Sequence, residues 1–348
     1  MKKRPYFKEI LLLMTLVIIL IIVFVFGMMK DQLQQEIIAQ KAQQLNEELK
    51  NQQQEENSIK SLPNISCWGD GLTTGDDSDG PSYSKVLSTL TNLTVNNMGV
   101  NREDSATIAT RQGGRYLIID DIEIPSTVTP VKIGKLNSLY NNSNEQVKLL
   151  VGGDAGINPV TIGGIEGILS LDEDSNTYYF TRSNEGKALE ITEPTPLLTA
   201  AATENKNDIT IIFIGQNGGY EGIEQLVEQQ QAMINHLDHD KYLILGLTTG
   251  TENERSELEE ALLETYGTKF INLREYLSTD GLADANIDPT YTDLNEMKFG
   301  KVPSSLLING TIIGNYAYHE LIAQKIYEKI IELNYLTEKQ QRYLGLTD

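Results

Sequence analysis

From Pro63 onward the sequence alternates short apolar runs with longer stretches of helical period, and few folds accept that rhythm. Strand candidates fall at 65–68, 93–98, 208–215, 241–248 and 269–273. Several are continuous apolar runs, which suit a parallel sheet covered on both faces better than a half-exposed one. Helix candidates fall at 83–90, 223–237, 252–266 and 316–333, the last placing Leu321, Ile322, Ile326 and Ile330 at helical spacing. Alternation of this kind predicts an α/β domain built on a doubly wound parallel sheet.

One region breaks the rhythm. Between 116 and 193 there is no amphipathic helical pattern, while Val, Ile, Thr, Gly and Asn are frequent and turn signals recur at Asn158-Pro159, Gly163-Gly164 and Asp174-Ser175-Asn176. This predicts a small antiparallel β module inserted at about 117–200, serving either as a structural annex or as a lid over the sheet edge. The glycines at Gly152-Gly153 and Gly163-Gly164 lie inside that module. They are not at a strand-to-helix junction, so they read as turns and not as a phosphate cradle.

The N-terminal sixty residues obey different physics. Residues 10–29 are twenty apolar positions interrupted only by Thr15 and Gly27, the length a helix needs to cross a bilayer. Lys2, Lys3, Arg4 and Lys8 precede them, which predicts a cytoplasmic N-terminus at 1–9, a single-pass anchor in the cell membrane at 10–29 and an extracytoplasmic remainder. A cleaved secretory signal would have a shorter apolar region and a small-x-small site, which Gly27-Met28-Met29 does not supply. Residues 30–62 then read as a helical stalk. Leu33, Ile37, Ile38, Leu45 and Leu49 stand near heptad spacing among Gln, Glu and Lys, so the stalk either pairs as a dimer or stays a solvated single helix. Leu62-Pro63 marks the start of the domain at 63–348.

The formal charge is −21, and all four basic residues before the apolar run sit on its N-terminal side. The remainder is therefore more acidic still, which argues against nucleic acid and anionic lipid headgroups as partners. Cys67 is the only cysteine; within an apolar run it reads as a buried core thiol, and no intrachain disulfide can form. His236, His239 and His319 have no ligand spacing, so neither a metal nor another cofactor is expected, and all three read as surface residues.

Cys67-Trp68-Gly69-Asp70-Gly71-Leu72-Thr73 passes from an apolar strand into a tight turn that should expose one side chain at the carboxyl edge of the sheet. At Gly71 there is none to expose. Gly69-Asp70-Gly71-Leu72-Thr73 resembles Gly-Asp-Ser-Leu-Thr, the first block of the SGNH (GDSL-type) hydrolases. Asn97-Met98-Gly99-Val100-Asn101-Arg102-Glu103-Asp104-Ser105 resembles their second block, Ile214-Gly215-Gln216-Asn217-Gly218 their third, and Asn309-Gly310-Thr311-Ile312 stands where the last, Asp-Gly-x-His, would fall. Four blocks in order across 64–333 resemble that family in fold, which implies a flavodoxin-like sheet order.

The resemblance also implies a mechanism, and this chain departs from it. In the family the first-block Ser attacks an ester, the last-block His is the base and the last-block Asp orients it, while the second-block Gly and third-block Asn help hold the oxyanion. Here Gly71 replaces the nucleophile, Arg102 the oxyanion glycine, Asn309 the Asp and Ile312 the His; Asn217 alone keeps its type. Glycine has no oxygen to attack and isoleucine moves no proton. The reading that follows is a catalytically inactive SGNH-like binding or scaffolding module at the cell envelope. Asp70, Arg102 and Asn217 would line its cleft, with an acyl or O-acylated carbohydrate ligand implied by the resemblance alone. The alternative is an esterase or acyltransferase using another nucleophile, Thr73 or Thr74 being the nearest hydroxyls. A structural role centred on the stalk is a third reading.

Overall fold

The computed structural model describes residues 62–140 and 143–347, together with Met14, Lys41, Gln44 and Lys50. The expected anchor at 10–29 and stalk at 30–62 thus lie outside the described residues apart from these few positions and Leu62. Among the described residues no helix is long and apolar enough to cross a membrane. Residues 1–62 and 63–348 form separate units.

The second unit opens with β1 (Ile65–Gly69), buried along its whole length. Even its polar group is satisfied, Ser66 Oγ accepting the Trp68 indole N–H at 3.1 Å. Asp70 then caps a one-turn helix, α1 (Gly71–Thr74), by accepting the Leu72 N–H at 3.0 Å. The expected bare turn is therefore a capped helical turn, because Asp70 supplies an acceptor for an otherwise orphaned amide. α2 (Tyr83–Thr91), β2 (Val95–Gly99) and α3 (Ser105–Gln112) complete the first half.

Ten short strands follow: β3 (Tyr116–Ile119), β4 (Ile122–Ile124), β5 (Val131–Gly134), β6 (Asn137–Tyr140), β7 (Ser143–Gln146), β8 (Val160–Ile162), β9 (Ile165–Asp172), β10 (Thr177–Arg182), β11 (Leu189–Ile191) and β12 (Thr195–Thr199). The chain returns to the first sheet through α4 (Ala200–Glu204) and β13 (Ile209–Phe213). It then runs through α5 (Ile223–Asn235), β14 (Tyr242–Leu245), α6 (Glu252–Tyr266) and β15 (Phe270–Ile271). Five helices close the fold: α7 (Leu273–Thr279), α8 (Gly281–Asp284), α9 (Tyr291–Met297), α10 (Tyr316–Glu332) and α11 (Glu338–Tyr343).

The first sheet is parallel throughout, in the order β15-β14-β13-β1-β2. The chain starts in β1, steps outward to β2, then crosses back to β13 and continues the other way, so the direction of winding reverses between β1 and β13. All five residues of β13 are buried, the expected consequence of covering both faces. Trp68, Ile212, Ile244, Leu226, Met233, Leu258 and Phe270 share one apolar core between sheet and helices. Burying each such side chain stabilises the fold by about 1.5–3 kcal/mol.

The inserted module is not small. Eight of its strands form one antiparallel sheet, β5-β10-β9-β8-β12-β3-β6-β7, with more strands than the parallel sheet, and β4 pairs with β11. Leu117, Ile119, Ile162, Leu169, Phe180 and Leu197 give it a core of its own. In β9 the buried Gly167 and Leu169 alternate with exposed Glu166, Ile168 and Ser170, the period-two pattern of a half-covered strand. β3 pairs with β12, so the chain leaves and rejoins the α/β domain at neighbouring points.

The histidines also depart from expectation. His319 is buried on α10, where Nδ1 accepts the Tyr83 N–H at 3.2 Å and the ring stacks on Tyr83. Burial drives its pKa down to about 4, so it stays neutral in ordinary conditions. His236 Nε2 lies 2.7 Å from the Ala202 carbonyl, and His239 Nδ1 accepts the Lys241 N–H at 3.0 Å. Each ring meets a main-chain group, His319 and His236 at helix ends and His239 within the loop before β14, a use that spacing along the sequence does not announce.

Candidate functional site

Loops leaving the carboxyl ends of β1, β2 and β13 surround a cleft of about 440 Å³ at the point where the winding reverses. Open α/β sheets place their ligand crevices at such a point, because the loops on either side diverge.

From β1 come Asp70, Gly71 and Leu72. Asp70 is 2% exposed. Burial lifts its carboxyl to about 6, against the pull of main-chain N–H donors, and nearby Glu103 pushes the same way as burial. Gly71 opens α1, and a Cβ built there would meet Asn101 Oδ1 at 2.7 Å. The Asn101 carboxamide therefore stands where a side chain at position 71 would point, and it also lies 3.1 Å from the Thr74 hydroxyl that donates to it.

From β2 come Asn101 and Arg102. Gly99 has to be glycine, since a Cβ there would come within 2.5 Å of the Thr74 nitrogen. Asn97 fastens this approach: its Nδ2 donates to the Thr73 carbonyl at 2.8 Å and its Oδ1 accepts the Gly99 N–H at 3.0 Å. Arg102 sits at φ 65°, in the left-handed region that favours glycine, with its side chain exposed at the cleft.

From β13 come Gln216 and Asn217. Gln216 is held on both sides, donating to Thr248 Oγ1 at 3.0 Å and accepting from Thr249 Oγ1 at 2.8 Å. Asn217 Nδ2 donates to the Glu103 carbonyl at 3.2 Å, and the Gly218 carbonyl accepts both the N–H and the hydroxyl of Ser105. These bonds join the loop after β13 to the loop after β2.

Two further walls come from farther along the chain. The β insertion contributes Val151 and Gly152; a Cβ on Gly152 would stand 2.2 Å from the Asn101 carbonyl, so the two backbones touch. The insertion is thus part of the cleft wall as well as a module with its own core. Opposite are Ile312 and Ile313, on a hairpin closed by an antiparallel bridge between Leu307 and Gly314. Ile312 is 58% exposed. Asn309 lies at the exposed tip of this hairpin and does not line the cleft.

The structure therefore brings together Asp70, Gly71, Arg102, Asn217 and Ile312, and leaves out Asn309. Among the described residues the cleft wall consists of the carboxylates of Asp70 and Asp77, three carboxamides, one guanidinium and aliphatic groups, with no hydroxyl, thiol, imidazole or amine on it. Thr73 is fully buried with its hydroxyl 3.1 Å from Tyr83 OH, and Thr74 donates to the Gly71 carbonyl at 3.0 Å. Cys67 is buried, and desolvation lifts its thiol far above its usual range. Among the described residues no group of three His, Cys, Asp or Glu is placed to hold a metal ion. A second depression, of about 410 Å³, lies around the buried Glu259–Arg274 pair and contains none of the residues singled out in the sequence.

One residue with a large role gives little signal in the sequence. Arg111 on α3 is fully buried, and its Nε and Nη2 bond both Glu103 oxygens at 2.6–3.1 Å. Nη2 also donates to the Met98 carbonyl and Nη1 to that of Ala155, while the guanidinium lies 5.1 Å from the Trp68 ring centroid. It connects β1, β2, the Glu103 loop and the insertion. No family model matches the chain, and no curated protein or solved structure matches it either.

Proposed function

We propose that the unit 63–348 is a degenerate SGNH (GDSL-type) hydrolase-like module that binds a ligand without turning it over, carried at the cell envelope on the anchor expected at 10–29. One observation carries the reading: Gly71, Arg102, Asn217 and Ile312, far apart in the sequence and each assigned to a different block, line one cleft at the switch point of the sheet. The left-handed backbone of Arg102, where the family has glycine, supports the same alignment. The family's nucleophilic route needs a hydroxyl activated by an imidazole, and among the described residues the wall carries neither; its carboxylates are those of Asp70 and Asp77.

The ligand that suits this wall has an apolar and a hydrogen-bonding part. Val151, Ile312 and Ile313 offer aliphatic contact, while Asn101, Gln216, Asn217 and Arg102 offer amide and guanidinium groups suited to hydroxyl and carbonyl oxygens. An O-acylated carbohydrate meets both demands. Titration of residues 63–348 with O-acetylated oligosaccharides, followed by calorimetry, tests this directly. Arg102→Ala is expected to weaken binding about tenfold or more, the loss of a hydrogen bond to a charged donor, with little change in the unfolding midpoint. Equal affinity in the variant would reject Arg102 as a ligand contact, and no binding to either form would reject the ligand class.

A further inference from the structure

The sequence contains two Asn-Gly pairs, Asn217-Gly218 and Asn309-Gly310, and the structure treats them in opposite ways. Asn-Gly is the dipeptide in which a backbone nitrogen most easily reaches the preceding carboxamide, because glycine has no Cβ to hinder the approach and its backbone adopts many conformations. The reaction requires a mobile side chain and an unengaged amide nitrogen.

At Asn217 both requirements fail. Its Nδ2 is tied to the Glu103 carbonyl, and the Gly218 N–H donates to the Gly215 carbonyl at 3.1 Å. At Asn309 both are met. The pair occupies the two central positions of a turn in which the Thr311 N–H donates to the Ile308 carbonyl at 3.0 Å, with Gly310 at φ 75°. Asn309 is exposed, and among the described residues neither its carboxamide nor the Gly310 N–H makes a hydrogen bond. Nothing lies within 4 Å of where a Gly310 Cβ would be, so the space around the reacting atoms is open.

We propose that Asn309 is a site of spontaneous deamidation that rebuilds one lip of the cleft. The Gly310 nitrogen attacks Asn309 Cγ, forming a bond to carbon as the side-chain amide leaves as ammonia with the proton lost from Gly310. The resulting five-membered imide is opened by water at either carbonyl, giving aspartate or isoaspartate; no oxidant or reductant takes part. Either product adds a negative charge beside Ile312 and Ile313. Isoaspartate also lengthens the main chain by one methylene within a hairpin whose ends are held by the Ile308 N–H to Ile313 carbonyl bond at 2.8 Å and by the Leu307–Gly314 bridge. The two isoleucines of the cleft wall, carried on that hairpin, are expected to move. This inference does not depend on what the cleft binds.

The test is to incubate the purified full chain in mildly alkaline buffer, folded and in denaturant, and to map isoaspartate by peptide mass spectrometry. In the folded chain the peptide bearing Asn309 should convert while the peptide bearing Asn217 stays intact. In denaturant both should convert, which shows that structure protects Asn217. Asn309→Gln should abolish the folded-state product. Methyl NMR of the aged chain should show shifted Ile312 and Ile313 resonances. Conversion of Asn309 in denaturant alone overturns the site, and equal conversion at both positions in the folded chain overturns the protection of Asn217 by the structure. Conversion without methyl shifts overturns the effect on the cleft.

Discussion

Arg111→Ala is expected to lower the unfolding free energy of the domain by about 3–5 kcal/mol, read as a loss of the urea midpoint. The substitution leaves the Glu103 carboxylate, 6% exposed, with no counter-charge, and removes donors from the Met98 and Ala155 carbonyls. A buried ion pair is weak net stabilisation when intact, but removing one partner strands a desolvated charge. The double substitution Arg111→Met, Glu103→Leu should therefore recover much of the loss, since it removes both charges and keeps volume against Trp68. A cost below about 1 kcal/mol for Arg111→Ala would show that the pair is not the tie described. Because the same guanidinium holds Ala155 of the insertion and Glu103 of the loop after β2, its loss should also loosen Gly152 against Asn101 and widen the cleft.

Much of this architecture is legible in the sequence where burial is two-sided. The apolar runs at 208–215 and 241–248 contain β13 and β14, and α5, α6 and α10 begin at the positions their periodicity gives, because a continuous apolar stripe has only one place to go. α3 escapes the same reasoning. Ser105–Gln112 is buried at every position and has no solvent-exposed face to set a period; its small residues and lone Arg111 are the signal of a helix enclosed on all sides. The insertion shows its turns but hides its size, since strands of three to five residues such as β4, β8 and β11 are too short to display alternation. In the cleft, the sequence separates Gly71, Arg102, Asn217 and Ile312; the parallel order of the sheet brings the first three together, and the hairpin before α10 adds Ile312. Val151 and Gly152 were beyond reach, because an inserted module's contact with a distant loop leaves no local pattern.

Asp70→Asn is expected to stabilise the domain at neutral pH by up to about 3 kcal/mol, the equivalent of a carboxyl lifted from its usual value near 4 to about 6. The sign follows from proton binding. Between these two values the folded state holds a proton that the unfolded chain has released, so stability falls as pH rises from about 4 to about 6 and stays lower above that. Asparagine is as good a helix cap as aspartate, so the Leu72 N–H keeps its acceptor while the buried charge disappears. Urea midpoints of the two proteins should coincide below pH 4 and separate through the window up to 6, with the variant the more stable. A variant that is less stable at every pH would mean that the ionised carboxylate is held by partners in the cleft and that burial is not the dominant influence on it. The expected result has a functional reading as well. A carboxylate whose ionisation costs the fold stability, where an amide would cap α1 equally well, is a candidate ligand contact in the cleft. Asp70 lines the cleft of the proposed binding module, so Asp70→Asn is expected to weaken a ligand whose hydroxyl donates to this carboxylate while it strengthens the fold.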